Sequence, residues 1–230
     1  MRFFTIILML CFFTSVHSQK EIVLRLSHAL NDSSFKYNEN FEVDGNKNYY
    51  TRLQYYLSGF ELEHDGGQST ILNNVYVLAS GHISNYYLGN FNVSSLESIS
   101  FDVGVDQIAN SGNTTNYSSL HPLGPKSPPM DWGWPSGYFF VVTNGFTDAD
   151  NDNIPETNFQ LHALGNGMLT SIDPIYLSGT NLNDTIYIDL IVNTLERIML
   201  HYKAKGYRYF KLYLSGGEPT FWKALIPVVE

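Results

Sequence analysis

The feature that most constrains the fold of this chain is a succession of short segments rich in β-branched and aromatic residues, separated by turn-forming residues. Asp65-Gly66-Gly67 between two of them is a hairpin-type turn. This pattern predicts an all-β fold, an antiparallel β-sandwich of about 8–10 short strands with long loops. The predicted strands are 22–28, 49–57, 60–63, 74–78, 96–105, 137–142, 158–164, 185–192 and 207–214.

Length and charge limit the domain count and the class of partner. The 230 residues include 13 Lys and Arg against 22 Asp and Glu, a net charge of -9. That length suits one β-type domain or two small ones. Nucleic-acid binding depends on basic contacts to phosphates, so the acidic balance argues against a nucleic-acid partner.

The first 18 residues have the pattern of a secretory signal. Arg2 supplies the positive charge, and the apolar run 3–13 is too short to span a bilayer. No later apolar run reaches transmembrane length. We therefore expect a periplasmic or secreted protein that does not span a membrane, with a domain over 19–195. A C-terminal segment, 196–230, follows a weak helical pattern at 194–205.

An acidic loop combines carboxylates at alternate positions with a fourth one a little later. Asp148, Asp150 and Asp152 are followed by Glu156. A hard cation needs oxygens that converge from alternate side chains of a tight turn, so the spacing is that of a calcium loop. The alternative is an Asx-rich turn, in which these side chains accept hydrogen bonds from their own backbone.

The segment from Met130 to Tyr138 contains two of the three tryptophans, Trp132 and Trp134. In an extended chain both rings would face the same side. Three interpretations stay open: core packing, a platform for a sugar or peptide, and the wall of a metal site.

Six of the seven histidines follow residue 18, and two of them are the better candidates for metal ligands. His28 ends the first predicted strand, and His162 lies in the strand after the acidic loop. If these residues share a metal site, the loop-to-strand corner that carries Trp132 and Trp134 should lie beside His162. His64 adjoins a hairpin turn, and His82 and His121 occupy loops, where exposure to solvent explains them.

Four segments, taken in order, resemble the MbnP-like family of exported copper-binding proteins, which includes the CorA and MopE proteins of methane-oxidising bacteria. They are 55–58, 99–106, the Met-x-Trp-x-Trp-x-Ser-Gly-Tyr stretch at 130–138, and 159–165. The resemblance covers about residues 20–195, and the tryptophan stretch is its most specific part. It implies a β-sandwich that handles copper.

The resemblance also implies how copper is held. In characterised relatives a tryptophan is oxidised to kynurenine and joins histidines around the metal. By motif position Trp132 is the first candidate for this oxidation and Trp134 the second, with His162 and then His28 as copper ligands. A di-haem peroxidase of the MbnH type would act on Trp132, and an outer-membrane copper importer is a further partner. One relative has a histidine two residues after its modified tryptophan, where this chain has Trp134.

These observations predict a copper-binding protein and not an enzyme. The sequence has no nucleophile elbow, phosphate loop or His-Glu zinc spacing. The alternative is a non-enzymatic, calcium-stabilised β-sandwich that recognises a carbohydrate or peptide through Trp132 and Trp134.

Overall fold

The computed structural model describes most of the chain after the predicted signal segment. The predicted segments 1–18, 194–205, 196–230 and 207–214 lie outside the described residues. The described residues are 19–30, 33–43, 46–82, 84–133, 136–177 and 185–193.

The structure confirms the all-β prediction. The described residues form twelve strands, more than predicted. The unpredicted strands include β2 and β5, which are short and polar and lack the apolar alternation that marks a strand in sequence, and also β3, β7 and β11. The predicted strands 49–57 and 60–63 are one continuous strand, β4. Helical structure is confined to a four-residue helix and two 3-10 turns, and no described helix is long and apolar enough to cross a membrane. The strands are β1 (Lys20–Leu30), β2 (Ser33–Ser34), β3 (Asn40–Val43), β4 (Asn46–His64), β5 (Gln68–Ile71), β6 (Val77–Ser80), β7 (Ser84–Phe91), β8 (Leu96–Val103), β9 (Phe139–Thr147), β10 (Thr157–Leu164), β11 (Thr170–Tyr176) and β12 (Thr185–Asn193), and the helical elements are α1 (Gln107–Asn110), Thr114–Asn116 and Asn166–Met168.

The strands form two sheets. The smaller sheet has the order β12-β1-β2, with β7 also paired to β1; the larger has the order β10-β9-β4-β8-β11, with β3, β5 and β6 paired to β4. All pairs are antiparallel except β1 with β12, which is parallel. These two strands lie at opposite ends of the domain sequence, so no hairpin turn imposes an antiparallel direction on them.

The inner faces of the two sheets enclose the main core. On β1 the side chains of Ile22, Leu24 and Leu26 are almost completely buried, as the alternation of a half-buried strand requires. His28 continues this face, and its Nε2 lies 2.8 Å from the hydroxyl oxygen of Tyr55 on β4. Odd-numbered residues in this part of β4 therefore face the smaller sheet, and even-numbered residues face outward.

The outer face of the larger sheet is also buried, because the segment that joins β8 to β9 folds back over it. We call this segment, residues 104–138, the cover loop. Tyr56 of β4 donates a hydrogen bond to the carbonyl oxygen of Pro122 (3.1 Å), and Tyr138 donates one to that of Leu123 (2.7 Å). The two tyrosine rings meet edge to face at 5.4 Å. The cover loop is therefore a packed layer of the fold.

Asn110, at the end of α1, joins the beginning of the cover loop to its last residue. Its Oδ1 accepts a hydrogen bond from the backbone N–H of Tyr138 (2.8 Å), and its Nδ2 donates one to Asn166 Oδ1 (2.8 Å). Gly137 makes this contact feasible, since a Cβ on residue 137 would stand 2.5 Å from Asn110 Oδ1.

We predict that Asn110→Ala lowers the free energy of unfolding by about 2 kcal/mol, because the buried N–H of Tyr138 loses its acceptor. Urea denaturation at neutral pH measures the difference. Gln107→Ala, an exposed change in the same helix, is the control and should stay within about 0.5 kcal/mol of the parent. Equal effects of the two substitutions would contradict this role of Asn110.

Candidate functional site

A tight turn at the end of the cover loop positions Trp132. Asp131 and Tyr138 form an isolated antiparallel bridge, and the N–H of Trp132 donates to the carbonyl oxygen of Gly137 (3.2 Å). Gly133 adopts a positive φ of 83°, a conformation that glycine tolerates without strain, and its N–H donates to Asp131 Oδ1 (2.9 Å). The turn fixes the direction in which the indole leaves the backbone.

This turn corrects one assumption made from the sequence. Two residues of the same parity face one side only in an extended chain, and the positive φ of Gly133 interrupts that geometry. The expectation that Trp132 and Trp134 present their rings together therefore no longer follows. Trp134 itself lies outside the described residues.

Trp132, Phe139 and His162 form a cluster of three rings, which we call the Trp132–His162 cluster. The imidazole centroid lies 4.5 Å from that of Phe139 and 6.1 Å from that of Trp132, while Trp132 and Phe139 meet edge to face at 5.4 Å. The indole keeps 48% of its surface exposed. The structure thus brings together the two residues that the sequence analysis expected to be neighbours; their role as copper ligands stays a prediction.

The imidazole of His162 is suited to bind a metal. Its Nδ1 is buried and has no hydrogen-bond partner among the described residues. Burial, and secondly the positive charge of Arg52, lower the pKa of His162 below its usual value, so the ring is neutral at pH 7. A neutral imidazole has one nitrogen lone pair to offer.

Sequence reasoning missed Arg52, the cationic residue beside this cluster. Its Nη2 donates to the carbonyl oxygen of Pro129 (2.9 Å) and lies 3.1 Å from the sulfur of Met130. Its Nε donates to Gln54 Oε1 (2.7 Å). The sequence marks this residue only by pattern, because Arg52 and Gln54 occupy alternate positions of a predicted strand, 49–57, that is otherwise mostly aromatic and aliphatic.

The structure does not bring His28 to the Trp132–His162 cluster. Tyr55, the hydrogen-bond partner of His28, is in register with Val141 of β9 and through it with Ala163 of β10. His162 is the neighbour of Ala163, and successive side chains of a strand face opposite sides. His28 and His162 therefore lie on opposite faces of the larger sheet and cannot bind the same ion in this structure.

His28 has the properties of a core residue. It is 4% exposed, and its Nδ1 has no partner among the described residues. Burial, and secondly the charge of His82, lower the pKa of His28 to about 4. Folding therefore favours the neutral ring.

The acidic loop forms a second cluster at the turn between β9 and β10. Oxygens of Asp148, Asp150, Asp152 and Glu156 all lie within 4.8 Å of one another. Asp148 is only 4% exposed, and desolvation together with the charge of Asp150 raises the pKa of Glu156. These residues offer the oxygen ligands that a hard cation takes.

The same loop also has the hydrogen bonds of an Asx-rich turn. Asp148 accepts from the N–H of Asn153 (2.8 Å), and Asp152 accepts from that of Ile154 (2.8 Å). His162 lies five residues along β10 from its first residue, Thr157, about 17 Å away at the rise of a strand. The acidic loop and the Trp132–His162 cluster are therefore separate regions.

Together the fold and the two clusters define a β-sandwich protein with a half-buried aromatic–histidine cluster under a cover loop and a metal-capable acidic turn at a distance. A family model described as MbnP matches residues 19–211, and the chain therefore belongs to the MbnP family. The match extends past residue 195, where the sequence analysis ended the domain.

The other comparisons add one solved structure. The chain is similar to MbnP from Methylosinus trichosporium, with 13% identity, a TM-score of 0.48, and coverage of 74% of this chain and 76% of that one. The comparison with curated proteins gives no match.

The depressed pKa of His28 predicts a pH-dependent stability. Its ordinary pKa of about 6.5 in the unfolded chain exceeds the folded value of about 4, so the unfolded state takes up the proton first as the pH falls. The neutral ring of His28 therefore adds to the free energy of unfolding, by at most about 3 kcal/mol. This stabilisation is fully present above about pH 6.5 and is lost as the pH falls from about 6.5 to 4.

Urea denaturation at pH 7.5 and pH 4.5 tests this prediction. The parent protein should lose more unfolding free energy between these pH values than His28→Gln, whose side chain does not titrate. An equal loss in both proteins would show that His28 does not carry this dependence.

Proposed function

We propose that the protein is an exported copper-binding protein of the periplasm or the extracellular space, and that it handles copper and does not catalyse a reaction. The observation that carries the proposal is the buried Nδ1 of His162, which has no hydrogen-bond partner among the described residues, on an imidazole ring whose centroid lies 6.1 Å from that of Trp132. Membership of the MbnP family supports it, since the resemblance implies copper. In this proposal copper is the cargo.

The chemistry of the Trp132–His162 cluster fits copper. An imidazole is a good ligand for copper, and a small number of ligands in an apolar setting favours Cu(I). The ring of Phe139 packs against the imidazole and keeps water from that side. Bound copper would stay exchangeable through the half-exposed side that Trp132 occupies.

The indole of Trp132 requires a chemical change before it can serve as a ligand. Its N–H is a donor only, so intact tryptophan has no in-plane lone pair for a metal. Two equivalents of hydrogen peroxide can cleave the C2–C3 bond of the indole, and hydrolysis then releases the C2 carbon as formate and leaves kynurenine, whose aryl amine can coordinate. We propose a di-haem peroxidase of the MbnH type as the catalyst, since 48% exposure leaves Trp132 within its reach. An outer-membrane copper importer is the proposed recipient.

We predict that the parent protein, isolated after co-expression with such a peroxidase, binds one Cu(I), and that His162→Ala weakens binding roughly a hundredfold or more, because a ligand is removed. Competition with a chromophoric Cu(I) chelator measures both affinities. His82→Ala, an exposed histidine, is the control and should bind like the parent. Unchanged affinity in His162→Ala would exclude His162 as a ligand.

We predict that the peroxidase converts Trp132, in preference to the second candidate Trp134, to kynurenine. Peptide mass spectrometry after co-expression locates the modification, and His162→Ala should be modified to the same extent, since the oxidation precedes metal binding. An unmodified Trp132 would remove the kynurenine ligand and would leave His162 and family membership unaffected.

The acidic loop supports a second, structural role for a metal ion. We propose that calcium binds Asp148, Asp150, Asp152 and Glu156 and stiffens the β9–β10 turn, because their oxygens converge within 4.8 Å around a nearly buried Asp148. Recognition of a carbohydrate or peptide, the other part of the alternative hypothesis, stays a prediction.

If calcium binds there, the melting temperature should fall by several degrees when a chelator removes it, since a ligand that binds only the folded state stabilises it. The double variant Asp150→Asn and Asp152→Asn should lose this response. Asp173→Asn, an exposed carboxylate on β11, should keep it. A chelator-independent melting temperature in the parent would identify the loop as an Asx-rich turn.

A further inference from the structure

We propose that Arg52 positions the Trp132 corner over His162, and that its fixed positive charge makes the cluster prefer a monovalent to a divalent copper ion. The second part rests on the proposed copper function, and the first part does not. Arg52 belongs to β4, on the outer face of the larger sheet, and would not itself contact the ion.

The positioning role follows from where the guanidinium donates its hydrogen bonds. Nη2 bonds to the carbonyl oxygen of Pro129 (2.9 Å) and lies 3.1 Å from Met130 Sδ, and these two residues lead directly into the turn that carries Trp132. Nε bonds to Gln54 Oε1 at 2.7 Å, which orients the planar group from the sheet side. Arg52 thus joins the sheet to the last residues before the corner.

A second hydrogen bond, between Met130 and Phe139, holds the segment before Trp132 against the sheet. The N–H of Phe139 donates to the carbonyl oxygen of Met130 (2.9 Å), and the ring of Phe139 packs on His162. Movement of Met130 would therefore change the spacing between Trp132 and the imidazole. Arg52 restrains Met130 on its other side.

The charge role follows from the strand register. Gln54 is paired with Val142, and Val142 with His162, so the three lie in line across β4, β9 and β10 on one face. Two inter-strand spacings of about 4.8 Å place Gln54 roughly 10 Å from His162. The guanidinium is bonded to Gln54 and is close enough to His162 for its charge to lower the pKa of the imidazole.

Nothing described neutralises this charge at short range. No carboxylate of the described residues forms an ion pair with Arg52, and its partners are a carbonyl, a thioether and an amide. At about 10 Å and an intermediate effective dielectric constant, one additional unit of charge on the ion lowers its affinity roughly tenfold. Cu(II) bears this penalty twice and Cu(I) once.

Two substitutions separate the two roles. Arg52→Gln removes both the charge and the forked donor, whereas Arg52→Lys keeps the charge but lacks the planar fork that bonds Pro129 and Gln54 together. Arg25→Gln is the matched control, since Arg25 lies on the smaller sheet against the ring of Tyr187 and its loss changes the net charge equally.

For the charge role, Cu(I) and Cu(II) affinities are measured by chelator competition at low and high salt on the peroxidase-modified protein. We expect Arg52→Gln to raise the Cu(II)-to-Cu(I) affinity ratio roughly tenfold at low salt and less at high salt. Arg52→Lys and Arg25→Gln should keep the parent ratio within about twofold. An unchanged ratio in Arg52→Gln overturns the charge role.

For the positioning role, hydrogen exchange of the peptide containing residues 129–133 is measured without copper. We expect exchange several-fold faster in both Arg52→Gln and Arg52→Lys, and unchanged in Arg25→Gln. Parent-like exchange in both Arg52 variants overturns this role. A parent protein that binds neither copper ion overturns the charge role together with the proposed function, while the exchange result still decides the positioning role.

Discussion

Packing of the cover loop on the outer face of the larger sheet is the interaction on which the candidate site depends. A sandwich sheet ordinarily exposes its outer face to water, where an imidazole would be solvated and protonatable near pH 6.5. Here Tyr56 of β4 joins the sheet to the loop through the carbonyl oxygen of Pro122 and an edge-to-face contact with the ring of Tyr138, and Asn110 holds the end of the loop in place. This layer shields His162 from water and also places Trp132 beside it. One packing arrangement therefore creates both the neutral imidazole and its aromatic neighbour.

His28 and His162, the two histidines that the sequence analysis named as copper ligands, lie on opposite faces of the larger sheet because successive side chains of a strand alternate. His28 and His162 both lie in strands that the sequence predicts, yet one faces the inner core and the other the cover loop. The Trp132–His162 cluster therefore contains a single imidazole, with the ring of Phe139 at 4.5 Å and that of Trp132 at 6.1 Å. Because the cluster offers only one imidazole, the proposal takes its second copper ligand from an oxidised Trp132. The acidic turn, about 17 Å along β10, serves a separate, structural role in the proposal.

Local pattern was enough to predict the all-β fold, most of the longer strands and the acidic cluster, whereas the neighbourhood of Trp132 and His162 was expected from the hypothesis of a shared metal site. The two-residue strand β2 could not be predicted because Ser33–Ser34 has no apolar alternation. The parallel pairing of β1 with β12 could not be predicted because it joins distant parts of the chain. The separation of His28 from His162 was likewise hidden, since the face on which a residue lies is set by the register of three strands. Arg52 went unnoticed because its importance comes from the loop that reaches it, 77 residues later at Pro129.

The most direct test of the account is the ring contact between Trp132 and His162 in solution. Nuclear Overhauser effects between assigned ring protons of the copper-free, unmodified protein report it without reference to any metal. The account predicts cross peaks from the imidazole of His162 to the indole of Trp132 and to the ring of Phe139. Cross peaks from His162 to inner-core residues such as Tyr55, with none to the indole, would contradict it.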